Sequence, residues 1–229
     1  MSVRTVALVH QAADLALVRV GAGLGETTVI TIAAGTEAGE QLLAGARAAG
    51  AARTVRLWDD AMIATDYLGV AFTLAATVRA VMGDLAANPT LILCGDGGRG
   101  AVGPAVAERL SLPHLGEVVG ASMMDERVVA RRRSGTVVRL YAGKPPIVLC
   151  LAAAPSESAG AEAGAWTSAV GSTEVWTLGQ AGLTSAELSY RKRFRPHASA
   201  GPTGAPRVFP DAPSLVARLL ADGLLSGSS

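Results

Sequence analysis

The chain has 229 residues, half of them apolar, a formal net charge of +1, three histidines and two cysteines. That length can bury a substantial core as one domain with an appendage or as two small lobes, and the near-neutral balance offers no broad electrostatic footprint for nucleic acid. Cys94 and Cys150 lie in apolar strand-like runs without metal-ligand spacing or a disulfide framework, which predicts reduced, buried thiols in a cytoplasmic protein. No basic region followed by a long apolar stretch opens the sequence, and the apolar run near Ile147 to Ala154 is too short to span a bilayer, so a soluble protein is expected.

The first half alternates two periodicities, which predicts a parallel sheet covered by helices on both faces. Strands are expected at Val3 to Val9, Thr28 to Ala33, Thr54 to Trp58 and Thr90 to Cys94, all rich in β-branched residues. Thr36 can cap a helix through Leu42, Leu43 and Ala46, with Gly50 as its stop. Asp66 can cap a second helix from Tyr67 to about Leu85. That helix carries no charge before Arg79 and is apolar nearly all round, so it is either central or covered by another chain.

The fourth strand runs straight into Cys94-Gly95-Asp96-Gly97-Gly98-Arg99-Gly100, with four glycines in seven positions, and then into a helix from Val102 to Leu110. Such a turn can present bare backbone N–H groups at a helix N-terminus, where the partial positive charge favours a phosphate. The same residues spell G-x-G-x-x-G, the fingerprint of a dinucleotide fold. That fingerprint normally sits at the first strand-to-helix turn, whereas here three strand-like runs precede it and no clear acidic strand end follows at the expected distance. A packing role for the glycines is the other reading.

After Pro113 the rhythm changes to strands in close succession at Val118 to Met124, Val128 to Arg132, Thr136 to Tyr141 and Ile147 to Leu151, with a tight hairpin turn at Ser134-Gly135. Arg131-Arg132-Arg133 beside this turn either attracts an acidic partner or forms a solvated edge that blocks strand addition. A loop of small residues from Ala152 to Gly164 leads to Trp166. Glu174 to Leu178 is a further short strand and Thr184 to Leu188 a helical turn. From Tyr190 to Pro210 no hydrophobic period remains, and so long a connection is expected where a chain reaches across to something else. It ends at a helix signal, with Asp211 near the cap, Pro213 in the first turn, and Leu215, Val216, Leu219, Leu220 and Leu224 on one side. Fixing the arm costs about 1–2 kcal/mol per residue, against about 1.5–3 kcal/mol recovered per buried apolar side chain, so it cannot stabilise itself.

In order and spacing these pieces resemble the β subunit of electron transfer flavoproteins along nearly the whole chain. The resemblance is carried by Val6 to Val9, by Ile30-Thr31-Ile32-Ala33-Ala34-Gly35 and Gly50-Ala51-Ala52-Arg53-Thr54-Val55, and by Leu91-Ile92-Leu93-Cys94-Gly95. It continues through Val102-Gly103-Pro104, Ala107-Glu108-Arg109-Leu110, Leu112-Pro113, Pro145-Pro146-Ile147-Val148, Trp176-Thr177-Leu178 and Leu219 to Leu225. It implies a three-layer, Rossmann-like α/β sandwich with a mostly parallel sheet, an antiparallel β extension and a C-terminal arm ending in a helix. Residues 1–188 would form the α/β domain and residues 189–229 a partner-embracing arm.

The resemblance further implies an electron carrier rather than an enzyme. The chain would form a heterodimer with an α subunit that holds the redox-active FAD, while this subunit binds AMP in a structural role, or a second flavin as in electron-bifurcating relatives. Electrons would pass from flavin dehydrogenases to a quinone-linked or other acceptor. By position, Leu8, Val9 and His10 would lie beside the nucleotide and Ala34 and Gly35 near its adenine side. Cys94, Gly95, Asp96, Gly97, Gly98, Arg99, Gly100, Ala101 and Val102 would surround the phosphate. Three stretches depart from the family: the phosphate turn is shorter and lacks a Thr-Gly-Gln or Thr-Ala-Gln ending, Asp14 to Gly25 replaces a longer stretch with an Asn-Pro motif and a helix, and Pro155 to Val170 lacks the usual partner-recognition signatures. Two other classes fit parts of the sequence. A stand-alone nucleotide-binding sensor explains the turn but not the arm, and a nicotinamide-dependent oxidoreductase has only His10, His114 and His197 as histidine acid/base groups.

Overall fold

The computed structural model describes residues 3–63, 65–95, 101–152 and 172–189, together with residues 211, 213, 214, 216 and 218. The glycine turn at 96–100, the Trp166 loop and the arm from Tyr190 to Pro210 lie outside the described residues, as do Leu215, Leu219, Leu220 and Leu224. Contacts divide the chain into Met1–Phe194 and Arg195–Ser229. In the second unit residues 213, 214, 216 and 218 are helical, and Asp211 Oδ1 accepts a hydrogen bond from the Ser214 amide at 2.8 Å.

Nine strands form one sheet: β1 (Arg4–Leu8), β2 (Glu26–Ile32), β3 (Arg53–Leu57), β4 (Thr90–Gly95), β5 (His114–Met124), β6 (Arg127–Ser134), β7 (Val137–Gly143), β8 (Ile147–Leu151) and β9 (Thr173–Trp176). Their order is β7-β6-β5-β8-β4-β1-β2-β3-β9. Every pairing from β5 to β9 is parallel, while β6 and β7 add antiparallel to β5 as a hairpin extension. The helices are α1 (Leu15–Leu24), α2 (Glu37–Ala48), α3 (Tyr67–Met82), α4 (Val102–Leu110) and the short α5 (Ser185–Ser189). The three-layer α/β sandwich read from the sequence is therefore present.

Alternation along the central strands builds the two cores. Ala7, Leu91, Leu93 and Leu149 point to the face covered by Leu17 and Val18 of α1 and Leu42, Leu43 and Ala46 of α2. Val6, Ile92, Cys94, Val148 and Cys150 point to the opposite face, under Ala71, Leu74, Ala75 and Val78 of α3 and Val106, Ala107 and Leu110 of α4. Parallel strands buried on both faces read as continuous apolar runs, and Thr90 to Cys94 is such a run. The predicted caps form: Thr36 Oγ1 accepts from the Gly39 amide at 3.3 Å and Asp66 Oδ1 from the Gly69 amide at 2.8 Å.

One feature differs from the sequence reading, and for a second the structure decides between two alternatives. The sequence does not announce helix α1, because Leu-Ala-Leu-Val-Arg-Val-Gly-Ala-Gly-Leu carries two glycines and no side chain caps its start. It forms because packing on β1 and β2 buries Leu15, Leu17 and Val18. The second feature is α3, whose apolar circumference has an internal answer. One side meets the sheet, Arg79 and Phe72 contact Arg109 of α4, and Val70, Phe72 and Ala76 pack on a third cluster of Leu57, Met62, Leu178, Ala181, Leu183 and Leu188. The helix is central in the chain's own core. Its buried Thr73 and Thr77 hydroxyls donate to the carbonyls of Gly69 and Thr73 at 3.0 and 2.8 Å.

The segment that covers α3 is tethered by β9, which closes the sheet through a polar clamp. Arg53 binds Glu174 with two hydrogen bonds of 2.7 Å each, the Trp176 indole donates to the same carboxylate at 3.1 Å, and Arg47 donates to Thr173 Oγ1 at 2.8 Å. The Arg53 hydrogen bonds hold the Glu174 carboxyl down to about 2, from an ordinary 4.5. A carboxyl depressed on folding contributes stability above its unfolded pKa and loses it as pH falls through the folded one. Both side chains are more than a third exposed, so solvent screening limits the contribution to about 0.2–1 kcal/mol. Glu174→Gln should accordingly raise amide exchange in residues 173–176 and flatten the stability loss between pH 4.5 and 2, as followed by hydrogen exchange and by urea titrations across that range.

Candidate functional site

The sheet changes winding direction at β1. The chain steps from β1 to β2 to β3 on one side, with α1 and α2 on one face, then crosses back to β4 on the other side of β1, with α3 and α4 on the opposite face. The connections that leave the carboxyl ends of β1 and β4 therefore diverge, and a crevice opens between them. A cavity of about 120 Å³ occupies that place, lined by Leu8, Val9, His10, Gln11, Asp14, Ile32, Thr65, Tyr67, Val70, Leu74, Cys94, Gly95 and Val102. A broader, shallower groove continues from His10 and Gln11 along the start of α2 to Arg47.

Of the residues named from the sequence, the structure brings Leu8, Val9, His10, Cys94, Gly95 and Val102 around the cavity. Ala34 and Gly35 line neither the cavity nor the groove. They lie in the turn between β2 and α2, where the open side of Gly35 faces the Arg56 guanidinium. Ala101 is described as exposed at the entry to α4, while Asp96, Gly97, Gly98, Arg99 and Gly100 lie outside the described residues.

Sequence reasoning missed Gln11, Asp14, Ile32, Thr65, Tyr67, Val70 and Leu74 of this lining, and Asp14 is the one whose contacts shape it. Its side chain is buried at 8% exposure, and Oδ2 accepts from the amides of His10 and Gln11 at 2.9 and 3.1 Å. It thus folds the chain leaving β1 back over the strand end and starts α1. The available signal was an acidic residue just ahead of an apolar run, a helix-start pattern. Its other oxygen lies against Gly95, so close that a Cβ there would collide with it.

Gly103 sets the spacing on the other wall. A Cβ at Gly103 would fall on the Cys150 sulfur and 3.2 Å from Cys94 Cβ, so its absence lets α4 settle on the paired ends of β4 and β8. There Cys94 is hydrogen-bonded to Cys150, and this bond, burial and the Asp14 carboxylate push the Cys94 thiol well above its ordinary range. Cys94 is a packing residue that presents an unreactive thiol to the cavity. Helix α4 also differs from α2 and α3 at its start. Among the described residues no side chain caps it, and its third residue, Pro104, has no N–H.

The electron transfer flavoprotein domain model matches residues 5–175 of this sequence. The chain belongs to that family, as a β-type member. It is 32% identical over 167 residues to Protein FixA of Azorhizobium caulinodans, a match that covers 69% of this chain and 58% of that protein. It is also 32% identical to Protein FixA of Bradyrhizobium diazoefficiens and of Rhizobium meliloti over 167 residues, covering 57% and 56% of those proteins. The chain thus spans somewhat under three fifths of the length of the curated relatives it matches. Within this family frame the crevice at β1 and β4 has a clear architectural demand, that nothing larger than hydrogen stand at the strand-to-helix contact. Gly103→Ala should cost about 1–3 kcal/mol by overpacking, whereas Gly116→Ala, with open space around it, should cost little; paired urea unfolding curves measure the difference.

Proposed function

We propose that this chain is the β-type half of a two-subunit electron carrier, with an adenine nucleotide such as AMP in the crevice at β1 and β4 serving a structural role. The redox-active FAD is held mainly by an α-type subunit, which passes electrons from flavin dehydrogenases to a quinone-linked or other acceptor. What carries the reading is the coincidence of family membership over residues 5–175 with a cavity at the switch point of the sheet.

The residues present fit a nucleotide in two ways. Leu8, Val9, Ile32, Val70 and Leu74 supply apolar walls against which a base can be desolvated, and His10, Gln11, Thr65 and Tyr67 supply polar groups at the rim. A phosphate would be held by the amides at the start of α4, which no described side chain caps, and the glycine-rich sequence 96–100 just ahead of it is the stretch that would complete the site. The buried Asp14 carboxylate disfavours an anion at the strand end itself, so the phosphate belongs on the α4 side. The cavity of about 120 Å³ shares His10, Gln11 and Ile32 with the adjoining groove of about 990 Å³ along α2, so it is one part of a larger concave surface. FAD supplies the electron-accepting ring; this chain contributes a wall and a fixed geometry.

The chain purified alone should carry no stoichiometric flavin absorbance, and a yellow complex should form when it is produced with an α-type subunit. A purified single chain with one flavin per polypeptide would overturn the assignment, and so would reduction of a lone chain by a nicotinamide. The arm is the assembly element in this reading. Truncation after Leu188, a residue fully buried beside Leu57 and Leu183, should leave the α/β domain folded by circular dichroism while weakening association with the α-type subunit severely. Association at full-length affinity would remove the arm from the interface.

A further inference from the structure

The carboxylate that turns the chain after β1 uses only half of its capacity. Asp14 lines the cavity and is more than nine-tenths buried, and its Oδ2 takes the amides of both His10 and Gln11. Its Oδ1 has no hydrogen-bond partner among the described residues. A carboxylate oxygen so far removed from solvent needs a donor. The strand end beside it cannot supply one from a side chain, because Oδ1 lies against Gly95. The open acceptor is thus left to the cavity, and what meets it there must carry hydrogen-bond donors and no negative charge.

Position narrows the donor to a sugar. With a base on the apolar walls and a phosphate at the start of α4, the carboxylate against Gly95 stands where the chain leaves β4 for α4, beside the middle of such a ligand. The ribose occupies that middle, and its vicinal hydroxyls offer a carboxylate two neutral donors at a fixed spacing. Dinucleotide folds hold these hydroxyls with an acidic residue at a strand end. Here the end of β2 carries Ile32 and Ala33, whose side chains accept nothing, and Asp14 brings the acid from the segment after β1. A phosphate esterified to the same ribose edge would set a second negative charge against a buried one, which opposes binding strongly.

We propose that Asp14 Oδ1 accepts the ribose hydroxyls of the bound nucleotide, so that the crevice selects nucleoside 5′-phosphates with a free 2′,3′-diol and rejects those deoxygenated or phosphorylated on that edge. This rests on the nucleotide reading above. The test is calorimetric titration of the full chain, freed of copurified nucleotide, with AMP, 2′,3′-dideoxyAMP and adenosine 3′,5′-bisphosphate. Wild type should bind AMP about ten-fold or more tighter than either analogue. In Asp14→Asn the amide oxygen still accepts from His10 and Gln11, while an uncharged amino group replaces the open carboxylate oxygen. The preference over the dideoxy analogue should then shrink to about three-fold or less, and the bisphosphate should gain on AMP. A side chain that only shapes the chain would weaken all three ligands alike and leave their ratios unchanged, and that result would overturn the ribose contact. Equal binding of AMP and the dideoxy analogue by wild type would overturn it too, whether or not the variant folds, while leaving the nucleotide reading standing. If purine riboside 5′-monophosphate, which lacks the exocyclic amino group, is the weak ligand and the dideoxy analogue is not, the carboxylate reads the base and the proposal fails. Wild type that binds none of these nucleotides would overturn both readings.

Discussion

Everything at the candidate site follows from one topological constraint: β1 is hydrogen-bonded to β2 on one side and to β4 on the other. Right-handed crossovers that add strands on opposite sides of β1 place their helices on opposite faces. The connections at the carboxyl ends must then part, and the space between them cannot be filled by either. The cavity is thus a consequence of strand order. The chain furnishes it with apolar strand ends, a carboxylate that turns the chain after β1, and glycines where the walls come close.

Those furnishings are mutually dependent. Asp14 can tuck under the turn because Gly95 has no side chain to displace it, and the β4 end can carry Cys94 beside Cys150 because Gly103 lets α4 settle over both sulfurs. The hydrogen bond with Cys150 and burial, with the Asp14 carboxylate adding to them, keep the Cys94 thiol protonated.

The edges of the sheet are managed in two different ways. At one end β9 is fixed by the Arg53–Glu174 clamp, and the segment following it covers α3 with Leu178, Leu183 and Leu188. That closes the core on itself. At the other end β7 is left with apolar side chains and unneutralised arginine, a combination that costs solubility unless something else meets it.

Much of this architecture could be read from the sequence because local rules and the final fold agree there. The apolar β-branched runs at 28–33, 54–58 and 90–94, the caps at Thr36 and Asp66, and the hairpin turn at Ser134-Gly135 are each specified by residues within a few positions of one another. The order of those pieces carried the family. What only the tertiary structure decided were matters of long-range contact. Helix α1 is made by burial on the sheet rather than by its own propensity, and α3 is shown to be central because residues more than a hundred positions later pack against it. Asp14 gains its meaning from Gly95, which strand order, not sequence proximity, brings beside it. A sequence records which residues can form a strand or a cap, but hydrophobic burial and strand pairing act between parts of the chain that share no local signal. The crevice they create is visible only once the sheet has closed.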